Sequence, residues 1–295
     1  MSLCNICPRN CNVDRTTGKG FCGMGDTVKI SRAALHMWEE PCISGEKGSG
    51  TVFFSGCNMK CVFCQNKEIS TGGFGKEITI ERLADIFLEL QEKGALNINL
   101  VTPTHYTLQI IDAVKKARAK GLALPIVYNT SSYESVETLR LLEGTVDIWL
   151  PDFKYTDNAA AQRYSKAADY VEKAKAAIDE MTRQQPECIF DDEGIIQKGV
   201  IVRHLVLPGQ TEAAKNAMEY LYNRYGDSIF VSIMSQYTPC TDLEAYPEIN
   251  RKLTAEEYDE VVDFAVDIGL ENGFLQEGES ASESFIPPFD LTGVG

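Results

Sequence analysis

SGCNMKCVFCQN, residues 55–66, places Cys57, Cys61 and Cys64 within eight residues. A disulfide uses two thiols and a closed zinc site uses four, so three on one loop ask for another explanation. TVFFS (51–55) reads as a strand, so the cysteines begin where that strand ends. Three thiolates can hold three irons of a [4Fe–4S] cube and leave the fourth iron open to a small molecule. A zinc site completed by a distant fourth cysteine, or unliganded core cysteines, are the bland alternatives.

Outward from this loop the chain alternates apolar strands and amphipathic helices. Thr79 is placed to cap a helix with Ile80, Leu83, Phe87 and Leu90 on one face, stopped by Gly94. NINLV (97–101) is the next strand, followed by a helix carrying Leu108, Ile111 and Val114 and ending at Gly121. PIVY (125–128), a short helix to Gly144, VDIWL (146–150) and an alanine-rich helix over most of 158–183 continue the pattern. ECIFDDEGIIQKG (187–199) reads as a small hairpin. VIVRHLVL (200–207) and IFVSIM (229–234) are strands with a helix between them. Thr254 with Glu257 forms a capping box for a last helix ending at Gly269, and FLQE (274–277) reads as a short final strand.

Six β-then-α units with near-continuous apolar strands imply a parallel sheet with helices outside, in an α/β fold. Fewer than eight units favours an open, partial (β/α)6 barrel, whose site lies at the C-terminal strand ends, where Cys57, Cys61 and Cys64 fall. The expected organisation is a cysteine-rich segment over 1–50, the barrel over 51–277, and an extended or poorly ordered tail over 278–295.

The 295-residue chain is 44% hydrophobic and 24% charged, as in a globular protein with a sizeable core. Its formal net charge of -15 would repel the phosphate backbone of nucleic acid. No run approaches the roughly 20 apolar residues that a membrane helix needs. MSLCNICPRNC at the start lacks the apolar core of a secretory signal. Ten cysteines in that context point to metal ligation in a reducing compartment, hence a cytoplasmic location.

The pattern Cys57-x3-Cys61-x-Phe63-Cys64 resembles the signature of the radical S-adenosylmethionine (SAM) enzymes, including the aromatic residue before the last cysteine. The resemblance covers roughly residues 51 to 277 and implies a partial (β/α)6 barrel. It also implies a [4Fe–4S] cluster on Cys57, Cys61 and Cys64 whose open iron is chelated by the amino and carboxylate groups of SAM. An electron then splits the sulfonium, and the resulting 5′-deoxyadenosyl radical takes a hydrogen atom from substrate.

Within the family the chain looks most like pyruvate formate-lyase activating enzymes and their uncharacterised relatives. Pro151-Asp152-Phe153-Lys154 matches their Asp-x-Lys, and Arg203 in VRHLVLPG matches their Arg before Val-Pro-Gly. Asn129-Thr130-Ser131-Ser132 stands where they carry Asp-Thr-Asn-Gly. By this likeness Phe63, Asn66, Thr102, Thr104, Asn129, Thr130, Ser131, Asp152, Lys154, Arg203 and Gln236 are the candidate SAM contacts. From the residues alone, a strand-end carboxylate beside an ammonium can orient the SAM carboxylate and sulfonium, or simply fix the strand end as a salt bridge. Two places depart from the pattern. Thr102-Pro103-Thr104-His105 replaces the Gly-Gly-Glu that receives the SAM amino group, and Gln236-Tyr237 stands where the activating enzymes have a His. His105, alone, reads as a structural hydrogen-bonding residue.

Cys4, Cys7, Cys11 and Cys22 form a second set, Cys-x2-Cys-x3-Cys-x10-Cys. Four thiolates suit a structural zinc, which the turns at Gly18, Gly20 and Gly23 favour, and equally suit a second iron–sulfur cluster. Cys42 is a stray or a substitute ligand, and Cys188 and Cys240 read as small core residues. The expected function is therefore a radical SAM enzyme, activating a glycyl-radical enzyme or modifying another peptide or small molecule. Its partners would be SAM, a protein or peptide substrate, and a reductant such as flavodoxin or ferredoxin. The competing class is a non-enzymatic metal-binding adaptor with two zinc staples.

Overall fold

The computed structural model describes residues 3–239, 243–276 and 286–295. Along the chain lie β1 (Val28–His36), α1 (Pro41–Ser44), β2 (Ser49–Phe54), α2 (Lys67–Ser70), β3 (Lys76–Ile78), α3 (Ile80–Glu92) and β4 (Ile98–Val101). Then come α4 (Thr107–Ala119), β5 (Ile126–Thr130), α5 (Val136–Leu141), β6 (Ile148–Pro151), α6 (Asn158–Ser165) and α7 (Tyr170–Gln184). The remainder is β7 (Ile189–Phe190), β8 (Ile196–Leu205), α8 (Thr211–Tyr225), β9 (Phe230–Met234), α9 (Ala255–Asp267) and β10 (Gly273–Leu275). The strands form one sheet in the order β10-β9-β8-β6-β5-β4-β2-β1-β3, with β7 added beside β8. From β10 to β2 every pairing is parallel, and β1 and β3 close that edge antiparallel. The sheet is open, as six or seven β/α units require.

Period-two alternation sorts each strand between two cores. Val52 and Phe54 of β2, Ile98 and Leu100 of β4, and Tyr128 of β5 pack outward under the helices in the large core. Their neighbours point the other way. Val127, Ile148, Leu150 and Ile201 meet Cys42 and Ile43 in one inner cluster, and Phe53, Val101 and Ile69 form another with Phe74 and Phe289. Thr79 accepts from Arg82 N–H at 3.1 Å to start α3, and Thr254 with Glu257 makes the expected reciprocal cap on α9. Among the described residues no helix is long and apolar enough to cross a membrane.

Several expectations are corrected. The first fifty residues hold a nine-residue strand, β1, so the sheet begins at Val28 and not at Thr51. A register shift between Ile30 and Arg32 breaks the alternation that would have revealed it. The alanine-rich helix is two helices, parted where Lys166 takes a left-handed backbone with φ 54°. The second arm of the expected hairpin and the fifth parallel strand are one continuous strand, β8. On α4 the buried face is Ile110, Ala113, Val114 and Ala117, while Leu108 is exposed. Residues 286–295 pack on the sheet: Ala33 N–H donates to Thr292 O at 2.8 Å, Phe289 meets Phe53, and Val294 is buried. Cys42 lies among Ile43, Ile148 and Ile201 and is no substitute ligand for the amino-terminal set. Cys240 lies outside the described residues.

Candidate active site

The loop after β2 is held on both sides. Gly56 has φ 88°, and a Cβ there would stand 2.4 Å from Met24 Cγ and 2.9 Å from Cys22 O, so only glycine fits. The three sulfurs each have a donor or hydroxyl neighbour. Met59 N–H donates to Cys57 Sγ at 3.3 Å, Ser165 Oγ donates to Cys61 Sγ at 2.9 Å, and Ser70 Oγ lies 3.3 Å from Cys64 Sγ. Burial pushes the Cys61 thiol up and the Cys64 thiol up to about 12. Buried thiols of that kind lose their protons to a metal rather than to water. Three thiols on one short loop, with no fourth in it, are the donor set of an iron–sulfur cube with one open corner.

Asp152 and Lys154 follow β6 and reach the same loop. Lys154 Nζ donates to Asp152 Oδ2 at 2.5 Å, and both side chains are largely buried. Burial works against the Lys154 ammonium, but Asp152 and the Cys61 and Cys64 thiols outweigh it and hold its pKa raised. Tyr170 ties the strand ends together: it accepts from Lys154 N–H at 2.9 Å, and its hydroxyl lies 3.0 Å from Ser131 O and 2.9 Å from Asp152 O. Gln65 Nε2 donates to Gln236 O at 3.0 Å, and Phe63 packs edge-on against Tyr237 at 5.8 Å. Cys57, Cys61, Cys64, Phe63, Asp152, Lys154 and Gln236 are thus gathered at one mouth. Asn129 and Ser131 end β5 beside them, and Asn66 starts α2 just past the last cysteine.

Two backbone positions stand out in the stretches that depart from the resembled pattern. Thr102 (φ 59°) and Ser132 (φ 63°) both take the left-handed conformation, which costs a non-glycine residue roughly 1–2 kcal/mol. Each lies in a stretch where the resembled pattern carries a glycine-bearing motif. The side chains of Thr104 and Thr130 face elsewhere: both hydroxyls donate to buried Glu134, whose carboxyl burial pushes up to about 7. His105 is buried and bonded through Nε2 to Ser55 O at 2.7 Å, and burial pulls its pKa to about 3, so it is a neutral structural group.

Arg203 is turned into the barrel interior rather than left free at the mouth. It donates from Nε and Nη2 to Glu40 at 2.8 Å each, and also contacts Glu39. Asn99 Nδ2 donates to Glu39 Oε1 at 2.8 Å, extending the network across β4. Glu39 and Glu40 precede α1, some 160 positions away from Arg203, and nothing in the sequence pairs them. Ser70, Ser165, Tyr170 and Arg9 were missed for the same reason, although Arg9 sits conspicuously between Cys7 and Cys11.

The matching family model is "Radical SAM superfamily", over residues 51–221. The chain is also 32% identical over 277 residues to "Uncharacterized protein MJ0674" of Methanocaldococcus jannaschii, covering 91% of this chain and 75% of that protein. This chain belongs to the radical SAM superfamily. Among solved structures it resembles the fold of Streptococcus suis SuiB (TM-score 0.52, 13% identity, 79% of this chain and 49% of that one). It likewise resembles methylornithine synthase PylB (TM-score 0.51, 14% identity, 76% and 72%). The third is HydG, a maturase of the [FeFe]-hydrogenase (TM-score 0.53, 14% identity, 78% and 52%). The chain spans about half the length of SuiB and HydG.

The interior network makes a prediction. Arg203→Met leaves Glu39 and Glu40 buried with their charge uncompensated, and should cost about 3–5 kcal/mol in urea unfolding. Adding Glu39→Gln and Glu40→Gln should restore most of that loss. A change under about 1 kcal/mol for Arg203→Met would show that the ion lock does not form.

Proposed function

We infer that this protein is a radical SAM enzyme that cleaves SAM reductively at the Cys57–Cys64 loop and abstracts a hydrogen atom from its substrate. The observation that carries this reading is the meeting of the Cys61 and Cys64 thiols with the Asp152–Lys154 pair across the strand ends. Cys57, Cys61 and Cys64 would hold the cluster, which would supply the one electron needed to split the SAM sulfonium into methionine and a 5′-deoxyadenosyl radical able to take hydrogen from substrate. The chain's own residues do the positioning. Lys154 offers a fixed ammonium to the SAM carboxylate while Asp152 holds that ammonium in place; Asn129, Ser131 and Gln236 offer polar groups around the mouth. Thr102 contributes backbone in the left-handed shape at the place of the missing Gly-Gly-Glu. Thr104 and Thr130 contribute indirectly, by anchoring to Glu134 the loops that carry Thr102 and Ser131.

An open sheet suits a large substrate. One of the chain's structural likenesses, SuiB, has been solved with a precursor peptide, SuiA. A peptide or the glycine loop of a glycyl-radical enzyme is accordingly the substrate class favoured, with a low-potential carrier such as flavodoxin or ferredoxin as the electron source.

Anaerobically prepared protein given SAM and dithionite should release 5′-deoxyadenosine, detected by chromatography. Cys61→Ala should abolish that release along with the cluster's iron, and full SAM cleavage by Cys61→Ala would refute the assignment. Lys154→Ala should weaken SAM binding about tenfold, the loss of one charge-assisted hydrogen bond, with iron content unchanged. Unaltered affinity would leave the Asp152–Lys154 pair as a strand-end salt bridge only.

A further inference from the structure

Cys4, Cys7, Cys11 and Cys22 are drawn together by the backbone. Cys4 N–H donates to Val13 O and Asn12 N–H to Cys4 O, both at 2.9 Å, and Asn10 N–H donates to Cys7 O at 3.0 Å. Asn10 and Asn12 take left-handed φ of 43° and 51°, which folds the segment back on itself. The sulfurs of Cys11 and Cys22 both flank Gly20: a Cβ there would lie 3.4 Å and 3.6 Å from them. Phe21 N–H donates to Cys11 Sγ at 3.2 Å.

We propose that Cys4, Cys7, Cys11 and Cys22 hold a second iron–sulfur cluster, complete in its four thiolates and seated directly behind the loop of Cys57, Cys61 and Cys64. One observation favours iron over zinc. This step rests on the reading of the 57–64 loop as a cluster site.

That observation is where the segment docks. Arg9, between Cys7 and Cys11, donates Nε to Asn58 O at 2.7 Å and Nη2 to Ser165 O at 3.2 Å. The Ser165 hydroxyl in turn donates to Cys61, so Arg9 and Ser165 tie the amino-terminal segment to the cysteine loop. The Arg9 guanidinium also lies 4.0 Å over Phe21 and 5.0 Å over Tyr133. Met24 and Cys22 press on Gly56, at the root of the loop. Thr138 Oγ1 donates to Ile6 O at 2.7 Å, fixing the outer side of the segment on α5. A centre in contact with the cysteine loop is placed to exchange electrons with it, which an iron–sulfur cluster can do and redox-inert zinc cannot.

The test compares three proteins expressed with iron supplementation and purified without oxygen: wild type, Cys57→Ala/Cys61→Ala/Cys64→Ala, and Cys4→Ser/Cys7→Ser/Cys11→Ser/Cys22→Ser. Iron, acid-labile sulfide and zinc are measured per chain, with paramagnetic resonance after dithionite reduction. The expected result is about eight irons in wild type and about four irons with about four sulfides in each variant. The triple variant should still give a reduced-cluster resonance. About one zinc and no iron in the triple variant would overturn the proposal, as would about four irons in wild type with the same content in the quadruple variant. Failure of the 57–64 reading looks different: the triple variant would then match wild type in iron. Should the triple variant not fold, the difference between wild type and the quadruple variant decides alone.

Discussion

The register of β2 against β4 sets where the three cysteines stand. Gly50 pairs with Ile98 and Phe53 with Val101, so the loops after both strands start at one level. A slip of one residue would send Phe53 outward, bury Phe54 on the wrong face and carry the cysteine loop away from β5 and β6. That register is held from both sides, because β1 pairs antiparallel with the other edge of β2 from Phe54 down to Ser49. Gly50 is needed at the base of the strand, since a Cβ there would come within 2.7 Å of Asn97 O.

The barrel interior is only partly apolar, and its polar layer explains why Arg203 is not simply a mouth residue. Ser49 Oγ donates to Asn97 Oδ1 at 2.6 Å, Asn97 Nδ2 to Ile43 O at 2.8 Å, and Asn99 to Glu39. Arg203 then balances Glu39 and Glu40 within the same layer. Buried charges of this kind specify a unique arrangement more than they stabilise it. Above the layer, the Asp152–Lys154 pair brings a second ion pair to the level of the cysteines, where a zwitterionic ligand with a sulfonium needs both signs.

Much of this was legible in sequence, for physical reasons. Parallel strands buried on both faces leave short apolar runs, and Thr79, Thr254 and Glu257 announce helix starts by local hydrogen bonding, so spacing located them. Cys57, Cys61, Cys64, Asp152 and Lys154 lie at strand ends, and strand-end position is a local property. What escaped was non-local. β1 pairs antiparallel behind a bulge, Arg203 meets partners on the loop before α1, and Thr130, facing outward at the end of β5, meets Glu134 together with Thr104 from the loop after β4. The left-handed Thr102 and Ser132 were hidden because threonine and serine seldom adopt that shape.

The central claim is that SAM binds a non-cysteine position of the cluster held by Cys57, Cys61 and Cys64. Electron–nuclear double resonance on the reduced protein, with SAM carrying nitrogen-15 in its amino group, tests it directly. The account predicts a nitrogen-15 coupling that appears with SAM and disappears in Cys57→Ala/Cys61→Ala/Cys64→Ala protein. A reduced cluster whose spectrum is unchanged by saturating labelled SAM, with no nitrogen-15 coupling, would contradict it.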